Sequence, residues 1–141
     1  MLDYDVMKLE NQTVFPLYAC CREIIKSSKA SLDRLELTYT QYLVMLVLWE
    51  KESLTVKEIG ERLYLDSGTL TPLLKKLAEK GLLTRNRSTE DERNLIVTIT
   101  TKGDHLRLRA LAEQEVINRI PILTAEEKEM MVAFAHRILQ G

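Results

Sequence analysis

Between residues 55 and 77 the apolar positions recur with the spacing of two short consecutive helices. Thr55 followed by Glu58 has the spacing of a capping box and predicts the start of the first helix. Two short helices joined by a tight turn are typical of a helix-turn-helix. The second helix should place four leucines at i, i+3, i+4 and i+7 on one face, namely Leu70, Leu73, Leu74 and Leu77.

The pattern changes after the second helix. Gly81 should end that helix, because glycine readily takes the positive φ of a helix C-terminus. Residues 82–87 and 94–100 predict two strands, and in the second every other residue is apolar. The polar stretch 88–93 between them predicts a hairpin loop, so the helix pair is followed by a small β wing.

Longer helices are expected before the helix pair. Pro16 either lies in the first turn of a helix that starts near Thr13 or bends a longer helix. Apolar positions spaced alternately by four and three predict that this helix packs along another helix; they are Val14, Tyr18, Cys21, Ile25, Ser28, Leu32 and Leu35. Thr38 should cap a further helix that covers the core with Tyr42, Met45, Leu46 and Trp49.

Two helices are expected after the wing. The first should run from Thr101 to about residue 119, where Pro121 follows. Thr124 and Glu127 have the spacing of a second capping box. The terminal helix that they begin should carry on one face Met131, Phe134, Ala135 and Ile138.

These elements predict a mostly α fold with a small β wing (α+β), in which a winged helix-turn-helix is flanked by dimerisation helices. We divide the chain into an N-terminal arm with a dimerisation helix (1–37), a winged-helix segment (38–100) and C-terminal dimerisation helices (101–141). The flanking segments carry more apolar surface than so small a winged helix can cover. We therefore expect them to pair in a homodimer.

Positive charge is concentrated in one part of the chain. The 141 residues have a formal net charge of −1, yet five basic residues face one acid, Glu79, between residues 75 and 87. A local basic surface beside a helix-turn-helix predicts binding to the phosphates of double-stranded DNA. The expected DNA-binding residues are Ser67, Thr69, Thr71, Lys75, Lys76, Arg85, Arg87 and Arg93.

At this point the sequence resembles a known family. The stretches DSGTLTPLLKKL (66–77) and EDER (90–93) are similar to those of the multiple antibiotic resistance regulator (MarR) family. Within that family they resemble the organic hydroperoxide resistance regulators and the related staphylococcal redox regulators. The resemblance runs from residue 8 to the wing and fades after Lys102. It implies a transcriptional repressor that binds an inverted-repeat operator as a homodimer and is released by an inducer or oxidant.

The resemblance also suggests a role for the tip of the wing. Arg93 would enter the minor groove of DNA, and Asp91 would hold its guanidinium in a wing ion pair. The alternative is a solvent-exposed ion pair of little energetic value.

The switch that controls such a repressor is harder to infer. In the hydroperoxide branch a reactive cysteine lies near the start of the first helix, close to two tyrosines. Here the cysteine position holds Val14 and one tyrosine position holds Ser28, while Tyr39 is retained. That sensing chemistry therefore does not carry over. Cys20 and Cys21 are candidate redox residues, or they pack as small apolar side chains.

A second hypothesis is a ligand-responsive regulator without redox sensing. Four aromatic residues would line a pocket for phenolic or other apolar molecules, or would simply pack in the core. They are Tyr18, Tyr39, Tyr42 and Trp49.

Other functional classes find little support in the sequence. We find no phosphate-binding glycine loop, metalloprotease motif or nucleophile elbow, and expect neither an enzyme nor a cofactor. His105 and His136 are isolated, so no metal site is expected. The longest apolar run has seven residues and the chain starts with acidic residues, which favours a cytoplasmic protein without membrane contact.

Overall fold

The computed structural model describes residues 1–87 and 95–141. This part of the chain forms a three-stranded antiparallel sheet and seven α-helices, which confirms the expected mostly α fold with a small β wing. The helices are α1 (Val14–Ser27), α2 (Lys29–Arg34), α3 (Tyr39–Glu50), α4 (Val56–Leu63), α5 (Ser67–Glu79), α6 (Thr101–Ile117) and α7 (Ala125–Gln140). The strands are β1 (Ser53–Thr55), β2 (Leu83–Arg87) and β3 (Leu95–Ile99).

Helix α3 lies at the centre of the core and contacts α4, α5, α6 and β3. Its capping box is complete: the Gln41 N–H donates to Thr38 Oγ1 (3.3 Å), and the Thr38 N–H donates to Gln41 Oε1 (3.0 Å). Met45 and Leu48 are fully buried. The expectation that Leu46 joins them is wrong, since its side chain is 41% exposed. The buried face of α3 is centred on Leu48, and Leu46 points to the other side of the helix.

Helices α4 and α5 meet across the expected tight turn. Tyr64 ends α4 with a left-handed backbone (φ +56°). Asp66 then begins α5, because its carboxylate accepts the Thr69 N–H at 2.7 Å. Thr55 caps α4 by accepting the Glu58 N–H at 3.1 Å. The second bond of a full capping box, from the Thr55 N–H to the Glu58 carboxylate, is absent from the hydrogen bonds of the described residues. Only one of the two bonds of the expected capping box is therefore formed.

The sheet is built around β3, which pairs antiparallel with β1 on one side and β2 on the other. Gly81, with φ +76°, ends α5 as expected and leads into β2. In register, Val97 lies opposite Leu54 on β1 and Arg85 on β2. Strand β1 was not expected from the sequence, because three residues are too few to show alternation.

The start of α6 packs directly against the base of the wing. Thr100 Oγ1 accepts the Gly103 N–H at 3.0 Å and donates to the Gly81 carbonyl at 2.6 Å. On α3, Trp49 Nε1 donates to the Gly103 carbonyl at 2.9 Å. A Cβ at Gly103 would lie 2.1 Å from the Leu82 carbonyl oxygen, so only glycine permits this approach. We call this contact between α3, the wing and α6 the Gly103 junction.

The N-terminal helix differs from the expected continuous helix. It begins after Thr13, with Pro16 in its first turn, in agreement with the first of the two alternatives. It ends at Ser27, because the Ser28 hydroxyl donates to the Ile25 carbonyl at 2.7 Å and competes with helical bonding. Beyond this break Ser28, Leu32 and Leu35 are buried. Before it the apolar positions are exposed, namely Val14, Tyr18, Cys21 and Ile25.

The C-terminal helices have the expected bounds. Helix α6 ends at Ile117, and α7 starts with a complete capping box between Thr124 and Glu127, with bonds of 3.1 and 3.0 Å. No residue of α7 is buried. Phe134 and Ile138 on its apolar face are 54% and 69% exposed.

One ion pair joins the two flanking segments. The Arg34 guanidinium on α2 donates to both carboxylate oxygens of Glu113 on α6, at 2.6 and 2.8 Å. These bonds, together with a bond from Ser31, lower the pKa of the Glu113 carboxyl to about 2. The pair fixes α2 against α6.

Candidate DNA-binding surface

Helix α5 separates its side chains as expected. Leu70, Leu74 and Leu77 are buried in the core, and Leu73 is half-buried. The opposite face exposes the hydroxyl and lysine residues Ser67, Thr69, Thr71, Lys75 and Lys76. The helix therefore presents a polar and positively charged face to solvent.

The start of α5 is held by short hydrogen bonds. The bond from the Thr69 N–H, the largest cause, lowers the pKa of the Asp66 carboxyl. The Thr71 hydroxyl donates to the Ser67 carbonyl oxygen at 2.7 Å. The Thr71 hydroxyl proton is therefore engaged within the helix. Thr71 can offer a ligand the hydroxyl oxygen as an acceptor and its methyl group.

Two surface grooves flank α5 and bring in residues that the sequence did not single out. One, of about 260 Å³, lies toward the wing and is lined in part by Lys57, Thr71 and Arg85. The other, of about 290 Å³, lies toward α3 and is lined in part by Thr40 and Lys76. Lys57 and Thr40 are each the second residue of a helix, α4 and α3. The sequence predicts that these two residues lie at the starts of helices, but it does not predict that they lie next to α5.

The wing places the two expected arginines on β2. Arg85 is half-buried and lines the groove beside α5, whereas Arg87 is exposed. They are two residues apart on one strand, so their side chains leave the same face of the sheet. Arg93 and Asp91, the expected wing ion pair, lie outside the described residues.

The two cysteines are both exposed in the single chain, so the chain itself does not provide the burial expected for a packing role. They lie on α1 beside Tyr18, which is 56% exposed. Arg22 covers the Tyr18 ring, with its guanidinium carbon 5.5 Å from the ring centroid and Nη1 3.3 Å from the hydroxyl. The thiols are thus accessible in the isolated chain.

Three of the four expected pocket aromatics are brought together. The Tyr42 ring centroid lies 6.4 Å from that of Tyr39 and 6.2 Å from that of Trp49. Burial, and then the nearby Tyr39, raises the pKa of the Tyr42 hydroxyl. Tyr42 belongs to the buried core, and Tyr39 and Trp49 pack against it. Tyr18 lies on the exposed part of α1, in contact with Arg22.

Within residues 1–87 and 95–141, no three His, Cys, Asp or Glu side chains are grouped so as to hold a metal ion. In the same ranges no helix combines the length and hydropathy that crossing a membrane requires.

Comparison with known proteins identifies relatives along most of the chain. Residues 26–108 match the family described as Transcriptional regulator SarA/Rot. The organic hydroperoxide resistance transcriptional regulator of Bacillus subtilis is 46% identical over 137 residues, which cover 97% of this chain and 93% of the relative. The HTH-type transcriptional regulator SarZ of Staphylococcus saprophyticus is 50% identical over 99 residues, covering 70% of this chain and 68% of SarZ.

Solved structures share the fold. Reduced AbfR bound to DNA superposes with a TM-score of 0.77 at 34% identity, covering 99% of this chain and 97% of that one. AbfR of Staphylococcus epidermidis superposes with a TM-score of 0.72 at 34% identity, covering 95% and 91%. The relatives are named as transcriptional regulators and not as enzymes, in agreement with the prediction. The chain belongs to the SarA/Rot family of MarR-like winged-helix transcriptional regulators.

Proposed function

We propose that this regulator is a repressor that binds an inverted-repeat operator in double-stranded DNA as a homodimer and is released by an inducer or oxidant. Residues 38–100 would read the operator, and residues 1–37 and 101–141 would hold the dimer together. In a two-fold dimer the two α5 helices would enter the major groove about one helical turn apart, roughly 34 Å.

The surface of α5 is the observation that carries this proposal. A helix that buries its leucines and exposes hydroxyls and lysines suits the major groove, where hydroxyls reach base edges and phosphates. The grooves on its two sides would take the two phosphate backbones, with Lys57 and Arg85 on one side and Lys76 on the other. The likeness to AbfR, which has been solved bound to DNA, supports the same role here.

The homodimer is supported by the apolar faces of the flanking helices. Helix α7 buries nothing within the chain, and its methionines and Phe134 are exposed. The apolar positions of α1 are exposed as well, namely Val14, Tyr18, Cys21 and Ile25. Apolar faces of this extent are typical of surfaces that pair with another chain.

For the release signal, the exposed Cys20, which is not among the apolar α1 positions proposed to pair with another chain, favours an oxidant over an apolar ligand. Cys20 and Cys21 are exposed, whereas Tyr42 and Trp49 are already engaged in core packing and in the Gly103 junction. Hydroperoxide should release DNA from the parent protein and not from the Cys20→Ser/Cys21→Ser double variant. If hydroperoxide leaves the parent bound, or releases both proteins alike, the thiols are not the sensor.

The DNA-binding surface can be tested with an operator selected from random duplexes. Fluorescence anisotropy of that duplex at several salt concentrations gives the slope of log affinity against log salt. Lys76→Gln should lower the slope by about 0.9 for each phosphate that the protein no longer neutralises, or about 1.8 for the two copies in a dimer.

The matched control is Lys128→Gln on α7, which should leave the slope unchanged. Equal slopes for the parent, Lys76→Gln and Lys128→Gln would contradict the proposed α5 surface. Failure to select any preferred duplex would contradict the proposed function itself.

A further inference from the structure

Two residues that disfavour helices lie on the exposed face of α5. Gly68 and Pro72 are exposed and four positions apart, so they lie one above the other on the same face of the helix. This face is opposite the buried Leu70, Leu74 and Leu77. Glycine and proline are the two residue types with the lowest helix propensity. Helix formation therefore does not explain why both stand on the proposed DNA-binding face.

The packing of the fold requires neither residue. The backbone of Gly68 is not in the left-handed region that favours glycine. Apart from its chain neighbours and its own helix backbone, the only described atom within 4 Å of a Cβ built on Gly68 is Asp66 Oδ1, at 3.3 Å. A small shift of that side chain relieves the contact. Pro72 is exposed and does not belong to the core of the described residues. Both residues therefore belong to the exposed face alone.

Pro72 leaves the carbonyl of Gly68 without its helical donor. In an α-helix each carbonyl accepts the N–H of the residue four positions later. For Gly68 that residue is Pro72, which has no N–H. The proline ring also crowds this carbonyl, which favours an oxygen turned away from the helix axis. Because Gly68 has no side chain, a ligand can approach that oxygen closely.

The neighbouring Thr71 adds a second acceptor. Its hydroxyl proton is engaged by the Ser67 carbonyl oxygen at 2.7 Å, so toward a ligand the hydroxyl oxygen acts as an acceptor. The methyl group of Thr71 and the ring of Pro72 are apolar. This part of the α5 face therefore combines two accepting oxygens with two apolar groups.

Such a surface is complementary to one kind of base pair. In the major groove the amines of adenine and cytosine are donors, whereas guanine presents two acceptors. Thymine alone carries a methyl group. An A·T pair therefore offers both an amine donor and a methyl group, and a G·C pair offers only the donor.

We propose that α5 selects an A·T pair in each half-site through its backbone as well as its side chains. The Gly68 carbonyl accepts a hydrogen bond from the adenine amine, and Pro72 and Thr71 contact the thymine methyl group. This inference rests on the proposed function and names a base pair that the operator must contain. It makes Gly68 and Pro72 specificity-determining residues, in addition to the hydroxyl and lysine residues of the same helix.

The test uses the operator that the parent protein selects from random duplexes. In both half-sites, each adenine is replaced in turn by unsubstituted purine, which lacks the amine, and each thymine by uracil, which lacks the methyl group. Fluorescence anisotropy gives the affinity for every duplex. At one A·T position per half-site, purine should weaken binding about tenfold, because two hydrogen bonds are lost in the dimer. Uracil at the same position should weaken it about fivefold.

The variant Pro72→Ala isolates the contribution of the carbonyl and the ring. Alanine restores the N–H that bonds the Gly68 carbonyl, so purine or uracil at that position should change the affinity of this variant by less than about twofold. The matched control is Pro121→Ala, at an exposed proline between α6 and α7, which should keep the full losses. In the DNA-free protein, Pro72→Ala should raise the Tm, because a helical hydrogen bond is restored.

Three results would overturn the inference. They are an operator without a purine-sensitive A·T position in its half-sites, equal losses in the parent and in Pro72→Ala, and a lower Tm for Pro72→Ala, which would show that the fold requires this proline. Failure to select any preferred duplex would instead overturn the proposed function. The two failures are thus distinguished by whether the parent selects a duplex at all.

Discussion

The winged-helix segment and the flanking segments use the same apolar residue types with opposite results. In the winged-helix segment Val44, Leu48 and Leu77 are completely buried. The flanking segments add Leu32, Leu35 and Leu106 to this core. Much of their remaining apolar surface is exposed, and Val14 and Leu108 are 74% and 76% exposed. The chain therefore completes one hydrophobic core by itself and leaves a second set of apolar faces without a counterpart in the same chain. The first region owes its stability to internal packing, whereas the exposed apolar faces of the second would be covered in the proposed homodimer.

The largest effect should come from removing a side chain of the completed core. Leu48→Ala leaves a cavity beneath α3 and should lower the free energy of unfolding by about 4 kcal/mol. Urea unfolding followed by circular dichroism measures this loss. The matched control is Leu46→Ala, at an exposed position of the same helix, which should cost well under half as much. Similar losses for the two variants would contradict the assigned burial.

A second substitution tests the flanking helices. Phe134→Ser/Ile138→Ser removes two exposed apolar side chains from α7 and should weaken self-association at least tenfold, as expected for central interface residues. Sedimentation velocity over a range of concentrations measures the dissociation constant. The helical circular dichroism signal should persist, because the substitutions leave the winged-helix segment unchanged. Unchanged association would show that α7 is not part of the dimer interface.

A third substitution should affect DNA binding while leaving assembly intact. Arg93→Ala should weaken operator binding more than tenfold if this residue enters the minor groove. Anisotropy measures the affinity, and sedimentation verifies that the variant self-associates to the same extent as the parent. Arg119→Ala serves as a charge-matched control outside the wing. Equal operator affinities for the two variants and the parent would favour the alternative, in which Arg93 forms only a solvent-exposed ion pair.

The smallest effect concerns pH. The pKa of Glu113 is lowered from its ordinary value of 4.5 to about 2 by Arg34. Since the folded value lies below the unfolded one, the pair stabilises the fold above pH 4.5, and this contribution is lost as the pH falls toward 2. Glu113→Gln should lack this part of the pH dependence. Parallel stability profiles for the parent and this variant between pH 4.5 and 2 would contradict the role of the pair.

What the sequence predicted was local in origin. The caps at Thr38, Thr55 and Thr124, the leucine face of α5 and the glycine at its end all depend on residues a few positions apart. Such patterns are set by helix geometry and by hydrogen bonds within one turn. They suffice to place the expected DNA-binding residues of α5 on its exposed face.

What the sequence missed depends on distant contacts or on competition within the chain. Strand β1 exists because β3 offers it a partner more than 40 positions away. The break at Ser28 arises because a serine fits a helical pattern and yet its hydroxyl can bond to a carbonyl of the preceding turn. Lys57 and Thr40 adjoin α5 only after α3 and α4 have packed around it.

The Gly103 junction has a mechanical consequence for operator choice. The Leu82 carbonyl oxygen lies where a Cβ of residue 103 would stand, so the start of α6 packs closely on the base of the wing. In the proposed homodimer each wing would therefore move together with its own α6. An extra base pair between half-sites moves one of them by about 3.4 Å and rotates it by roughly a tenth of a turn. If the wing and α6 move together, the dimer can adapt to the displaced half-site only at a high cost in free energy. We therefore expect the protein to bind operators of a single half-site spacing.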